Sequence, residues 1–264
     1  MIFWDLRSAD EHPYLLEGEP PAGLLSAPER VFFGRLRVPK RRREWLLGRY
    51  AIKALCRAWF AMIGRRVPAS SLTVAAAPDG SPYVLLAGEG PLPITVSLSH
   101  RGDMALCALV PQPQAPLGVD LELCEPRPPL FIEDFFTLQE ATAVANAPDR
   151  CRAATEIWAL KEAALKALRV GLSVDTHTVQ ARPRLAACSG WSAAGLEASS
   201  TAGHRSFTAY VRDSGPFVVT VAWGAGPCPE PSDALRGSAV ILSSARSTKL
   251  AHAEPLRAPM DPGA

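Results

Sequence analysis

Trp158-Ala159-Leu160-Lys161-Glu162-Ala163-Ala164-Leu165-Lys166-Ala167-Leu168 is the stretch on which the reading of this chain turns. Ala, Leu, Lys and Glu are strong helix formers and no Gly or Pro interrupts them, which predicts a helix over about 149 to 169. Two stripes follow from the helical period. Ile157, Leu160, Ala164 and Leu168 make an apolar stripe that would anchor the helix on a sheet, while Trp158, Glu162 and Lys166, spaced i, i+4 and i+8, share a neighbouring stripe. Taken alone, Glu162 and Lys166 could equally be a surface ion pair contributing roughly a few tenths of a kcal/mol.

Working outward, Gly118-Val119-Asp120-Leu121-Glu122 alternates as a strand does, so Asp120 and Glu122 leave one face while Val119 and Leu121 face a core. Two carboxylates on one patch repel. The remedies are a raised pKa, a basic neighbour or a hard cation such as Mg²⁺, and a solvated strand face is the plain alternative. Ser97-Leu98-Ser99-His100-Arg101-Gly102-Asp103 interrupts two apolar runs at an expected hairpin tip, where His100 could meet a phosphate or cap a turn.

The rest of the chain supplies the frame. A helical region runs from about Pro28 to Ile63, interrupted at Pro39, with its second segment starting near Arg42; strands are expected near 72–74, 83–86, 94–98 and 104–110. After the Pro/Gln-rich stretch Pro111 to Pro116 a second cycle begins: helices at about 133–145 and 149–169, then strands near 174–180, 194–198, 206–212 and 217–223. Both cycles run helix first and strands afterwards. The expected fold is α+β, a pseudo-two-fold pair of similar lobes, each a helix packed on a small, mainly antiparallel sheet. The lobes would span 1–112 and 113–225, followed by a Pro-rich tail at 226–264, expected to be largely disordered, in which Ala239-Val240-Ile241-Leu242 could dock as an extended arm.

Composition narrows the function classes. With 264 residues, 48% apolar and 20% charged, the chain suits an ordinary globular protein, and no apolar stretch approaches the roughly 20 residues of a membrane-spanning helix. No basic flank followed by an apolar run opens it, so a cytoplasmic protein is expected. Six scattered cysteines lack metal-ligand spacing and read as small buried apolar residues. Net charge is +2, yet residues 30 to 66 hold twelve Lys/Arg against the single acid Glu44. That +11 segment points to phosphate groups or an acidic protein partner, the alternative being a solvated arginine-rich surface.

Together, Gly118 to Glu122, Phe136-Thr137-Leu138-Gln139-Glu140, and Trp158-x-x-Lys161-Glu162-Ala163-x-x-Lys166 resemble the 4′-phosphopantetheinyl transferase superfamily. The resemblance extends to Ser97-Leu98-Ser99-His100, to Leu46-Leu47-Gly48-Arg49 with Lys53, and to Gly171-Leu172-Ser173, covering about residues 1 to 223. The length is that of the monomeric, two-lobe type that activates surfactin synthetase; the short trimeric type is too small. The resemblance implies Mg²⁺-dependent transfer of phosphopantetheine from coenzyme A to a serine of an apo acyl- or peptidyl-carrier protein, of the kind used in polyketide and nonribosomal peptide biosynthesis, with release of adenosine 3′,5′-bisphosphate. By the same resemblance Asp120, Glu122 and Glu162 would hold Mg²⁺, and Glu162 or a metal-bound water would be the base, with Glu162 the family's usual candidate. Lys166 would face the α-phosphate, and Lys161 would meet phosphate or carrier. Arg43, Arg49, Lys53, Ser99 and His100 would serve the 3′-phosphate, and Lys40 to Arg43 an acidic helix of the carrier.

Two departures stand out. Gly80-Ser81-Pro82 replaces the more usual Gly-Lys-Pro, removing a cation, and Arg169-Val170-Gly171 stands where Gly-Lys-Gly is common. Two other readings remain open at this point: a Mg²⁺-dependent hydrolase of coenzyme A or nucleotide diphosphates, and a non-catalytic nucleic-acid-binding module. The second has no recognisable RNA- or DNA-binding motif beside its basic run. Neither a membrane nor a nucleic acid is an expected partner.

Overall fold

The computed structural model describes residues 1–184, 190–200, 203–224 and 231. The expected tail lies outside the described residues except for Pro231, as do the run Ala239 to Leu242 and two of the cysteines, Cys188 and Cys228.

The first half runs β1 (Phe3–Ser8), α1 (Pro13–Glu17), α2 (Ala27–Phe33), α3 (Pro39–Met62), β2 (Leu72–Ala76), β3 (Pro82–Leu86), β4 (Gly90–Pro91), β5 (Thr95–Arg101) and β6 (Met104–Val110). The second runs β7 (Leu117–Leu123), α4 (Pro129–Phe135), α5 (Leu138–Asn146), α6 (Arg150–Leu168), β8 (Val179–Arg182), β9 (Ser192–Ser200), β10 (Gly203–Ser214) and β11 (Phe217–Trp223). All strand pairings are antiparallel, in the orders β1-β6-β5, β2-β3-β4 and β7-β11-β10-β9-β8. The mixed α+β class is as the sequence implies.

Strand alternation builds the layers. On β1 and β6, Phe3, Cys107 and Leu109 face α3, while Trp4, Leu106 and Ala108, with Ile2 just before β1, face the opposite way and meet Val119, Leu121, Val219 and Val221 of the second half. The α6 helix covers the far side of β7 and β11. Two sheets are thus packed face to face with a long helix outside each, and burial of each large apolar side chain stabilises this stack by about 1.5–3 kcal/mol. A polar seam also joins the halves along β5. Thr95 accepts from Ala115 N at 2.8 Å, Ser97 accepts from Val119 N at 3.1 Å, and Ser99 donates to Asp120 at 2.7 Å.

Each half carries the same buried clamp. Ser26-x-x-Glu29 and Thr137-x-x-Glu140 are capping boxes at the starts of α2 and α5, in which the glutamate reaches back to the N-cap amide. Glu29 also accepts from Val74 N of β2 at 2.9 Å and pairs with Lys53 of α3; Glu140 accepts from Ala181 N of β8 at 2.7 Å and pairs with Lys161 of α6 at 2.8 Å. Superposing the two lysines aligns Tyr50-Ala51-Ile52-Lys53-Ala54 with Trp158-Ala159-Leu160-Lys161-Glu162. Ala54 therefore stands where Glu162 does, so the first half has no counterpart of that acid.

Three local expectations are corrected. Pro39 does not interrupt a helix. It is the first residue of α3, where a missing N–H costs nothing. The expected helix at 133–145 is two helices, because Phe136 is extended and Thr137 caps a new one. The strand expected at 174–180 begins only at Val179, as β8; before it Thr176–Thr178 makes a short 3-10 turn, and Lys161 donates to the carbonyls of Thr176 and Val179 at 2.8 and 2.7 Å.

Candidate active site

Gly118 lets β7 lie against α6. A Cβ there would stand 1.8 Å from the carbonyl oxygen of Ala163, so only glycine permits this approach. Gly118, Asp120 and Glu122 share the strand face turned to α6, and the close contact sets the two carboxylates against the Trp158, Glu162 and Lys166 stripe.

The contacts are specific. Asp120 is 3% exposed; its Oδ1 accepts from Ser99 Oγ and from Lys166 Nζ, both at 2.7 Å, while its Oδ2 is buried with no hydrogen-bond partner among the described residues. Glu122 accepts from the Trp158 indole at 3.1 Å on Oε1 and from Arg127 at 2.7 Å on Oε2. Glu162 completes the group. Burial first, then the neighbouring Asp120 and Glu122 charges, push its carboxyl up to about 7 against the opposing pull of Lys166. Burial and Asp120 likewise raise Glu122, with Arg127 opposing.

Three carboxylates with too little positive charge between them form a site that a cation would relieve. Among the described residues no group of three or more His, Cys, Asp or Glu side chains is placed so that it could hold a metal ion. The donor set nevertheless fits a hard divalent ion: every donor is an oxygen, one buried Asp120 oxygen is unpaired, and burial followed by the neighbouring acid charge holds the Glu122 and Glu162 carboxyls above their ordinary range.

A second cluster lies on the α3 side of β5. Alternation turns Ser97 and Ser99 toward β7 and Leu98 and His100 toward α3. His100 is exposed and lines a cavity of about 430 Å³ with Lys40, Arg41, Trp45 and Arg49. The Arg49 guanidinium stacks 4.0 Å from the Trp45 ring, its Nε is buried without a hydrogen-bond partner among the described residues, and burial lowers its pKa to about 10, with Glu29 opposing. Arg43 lines an adjoining hollow with Lys40, Leu47 and the hairpin residues Gly102 and Asp103. Arg41, Arg43 and Arg49 form no ion pair among the described residues, whereas Arg42 and Arg65 pair with Glu19 and Glu89.

The structure therefore brings the expected residues together in two groups, one of Asp120, Glu122, Glu162, Lys166 and Ser99, the other of Arg49 and His100, and places Arg43 in a separate hollow that shares Lys40 and Glu44 with the second. Two expectations are corrected. Lys53 and Lys161 are both 0% exposed and face neither group, because each is the buried partner of a clamp glutamate; burial lowers both pKa values against the glutamates' pull. Sequence reasoning missed Arg127 and the indole of Trp158 as the holders of Glu122. Arg127 lies five residues beyond its partner, a spacing no strand or helix rule flags.

Residues 116–220 match the sequence model of the 4′-phosphopantetheinyl transferase superfamily. Solved structures similar to this chain include the holo-[acyl-carrier-protein] synthase of Thermotoga maritima, with 19% identity, 52% of this chain and 74% of that one covered, and a TM-score of 0.34. Another is the holo-ACP synthase of Plasmodium yoelii, with 15% identity, 41% and 90% covered, and a TM-score of 0.31. No curated protein sequence matches the chain.

Proposed function

Because residues 116–220 match the 4′-phosphopantetheinyl transferase superfamily, we propose that this chain moves the phosphopantetheine arm of coenzyme A to a serine hydroxyl of an apo carrier protein, releasing adenosine 3′,5′-bisphosphate. The observation that carries the proposal is the meeting of Asp120, Glu122, Glu162 and Lys166 between β7 and α6, with one Asp120 oxygen buried and unpaired. Asp120, Glu122 and Glu162 would hold Mg²⁺, which when bound supplies charge neutralisation for the coenzyme A diphosphate.

The side chains account for the remaining steps. Lys166 places an ammonium beside Asp120, where it stabilises charge on the departing phosphate. Glu162 takes the proton from the attacking serine hydroxyl. Arg43, Arg49 and His100 receive the 3′-phosphate, with the guanidinium fork suited to phosphate oxygens. The first lobe, 1–112, thus binds the 3′-phosphate of coenzyme A and the second, 113–225, reacts at its diphosphate. Since one chain supplies both clusters, a monomer suffices. Exposed cations of the Lys40 to Arg43 run remain for an acidic surface of the carrier.

The test is mass spectrometry of apo acyl- and peptidyl-carrier proteins after incubation with this protein, coenzyme A and Mg²⁺. The reading expects a gain of one phosphopantetheine arm, lost in Asp120→Ala and Glu162→Ala proteins that remain folded. Release of adenosine 3′,5′-bisphosphate without any carrier would instead identify a hydrolase.

A further inference from the structure

Cys124 directly follows β7, and Cys151 is the second residue of α6. Their Sγ atoms stand 3.5 Å apart, and both residues are free thiols and half-buried. Cys56 and Cys107, by contrast, are fully buried in the first half's core. We propose that Cys124 and Cys151 form an oxidation site that closes to a reversible disulfide on exposure to a peroxide.

The geometry asks for little movement. A disulfide needs the sulfurs at about 2.05 Å, an approach of about 1.5 Å that side-chain rotation at two element ends can supply. In the first step one sulfur attacks the O–O bond of the peroxide, which breaks to leave a sulfenic acid and water. The second thiol then attacks the sulfenic sulfur; the S–S bond forms, the S–O bond breaks and a second water departs with the thiol's proton. Two electrons leave the sulfur pair and reduce one hydrogen peroxide to two waters. An external dithiol reverses the change by exchange. Burial, followed by the neighbouring Cys124 sulfur, pushes the Cys151 thiol up to about 11, so reaction at neutral pH is slow and follows sustained exposure.

Closure would tie the end of β7 to the start of α6, the two elements that carry Asp120, Glu122, Glu162 and Lys166. It would also pin both ends of the intervening segment, which includes α4, α5 and Arg127, the partner of Glu122. Restricting a loop at both ends reduces its excursions. The site stands on its own geometry and does not depend on the transferase reading.

The test treats the folded full-length protein with hydrogen peroxide, blocks remaining thiols with an alkylating agent, and maps peptides by mass spectrometry before and after dithiothreitol. The expected result is a linked Cys124–Cys151 peptide pair lacking two hydrogens, restored by dithiothreitol, with slower amide exchange across 129–146 in the oxidised protein. Cys124→Ser and Cys151→Ser should each abolish the link and leave the remaining cysteine trappable as a sulfenic acid. The proposal is overturned if both residues stay freely alkylated in the wild-type protein, proceed to sulfinic acid without a linked peptide, or pair with other cysteines instead.

Discussion

Asp120 uses one carboxylate oxygen twice and leaves the other buried and unpaired, an arrangement that costs about 1–3 kcal/mol in a protein with no ligand at that atom. Glu162 beside it is under the same stress, which makes the metal-free protein pH-sensitive. Its carboxyl moves from an ordinary 4.5 to about 7 in the folded state, so the protonated form is the better tolerated one. The stability this contributes is complete below about pH 4.5 and disappears as pH rises through about 7. Thermal unfolding of the metal-free protein should show wild type losing about 2–3 kcal/mol relative to Glu162→Gln across that window and no further difference above it; a constant difference would contradict the assignment. The sequence made these acids legible because strand and helix periods place 120 with 122 and 162 with 166. It could not reveal the fate of Lys53 and Lys161. Whether a lysine is exposed or buried depends on a partner, and Glu29 and Glu140 lie on other helices more than twenty residues away in the chain.

At the scale of elements, the approach of β7 to α6 rests on one missing methyl group. Gly118→Ala should destabilise the fold by about 3 kcal/mol in urea unfolding, because a methyl group at that point meets backbone that cannot move aside. An unchanged midpoint would mean the contact is looser than described. The clamps make a second prediction. Removing one partner of a buried ion pair leaves the other charge uncompensated, so Lys53→Met and Lys161→Met should each cost about 3–5 kcal/mol. Lys53→Met should nonetheless leave the affinity for coenzyme A of the folded protein within about twofold, since Lys53 faces no ligand surface; a selective loss of affinity at unchanged stability would restore Lys53 to the binding site. Apolar periodicity found the two long helices and most strands. It misplaced the strand expected at 174–180: β8 begins only at Val179, and the polar run Asp175-Thr176-His177-Thr178 before it turns back, with the Thr176 carbonyl accepting from the Lys161 ammonium of another element.

For the whole molecule, the candidate-site acids Asp120, Glu122 and Glu162 lie in the second half and the Arg49 and His100 cluster in the first. The charge asymmetry of residues 30 to 66 was visible in the sequence. Its division was not, because Arg30, Arg42, Lys53, Arg57 and Arg65 turn to internal acceptors while Arg41, Arg43 and Arg49 border the cavities beside His100. A ligand carrying a 3′-phosphate and a 5′-diphosphate on one adenosine would span β5 between the clusters. Arg49→Ala should therefore raise the KM for coenzyme A by about tenfold or more while barely changing that for 3′-dephospho-coenzyme A, and equal effects on both would place Arg49 elsewhere. Among the described residues no helix is long and apolar enough to cross a membrane. The most direct test of the central claim, that Asp120, Glu122 and Glu162 share one divalent ion, is Mn²⁺ binding followed by electron paramagnetic resonance with and without coenzyme A. The predicted result is one ion per chain, bound more tightly with coenzyme A present and at least about tenfold more weakly in folded Asp120→Asn and Glu162→Gln proteins. Binding of equal strength in wild type and both variants would contradict it.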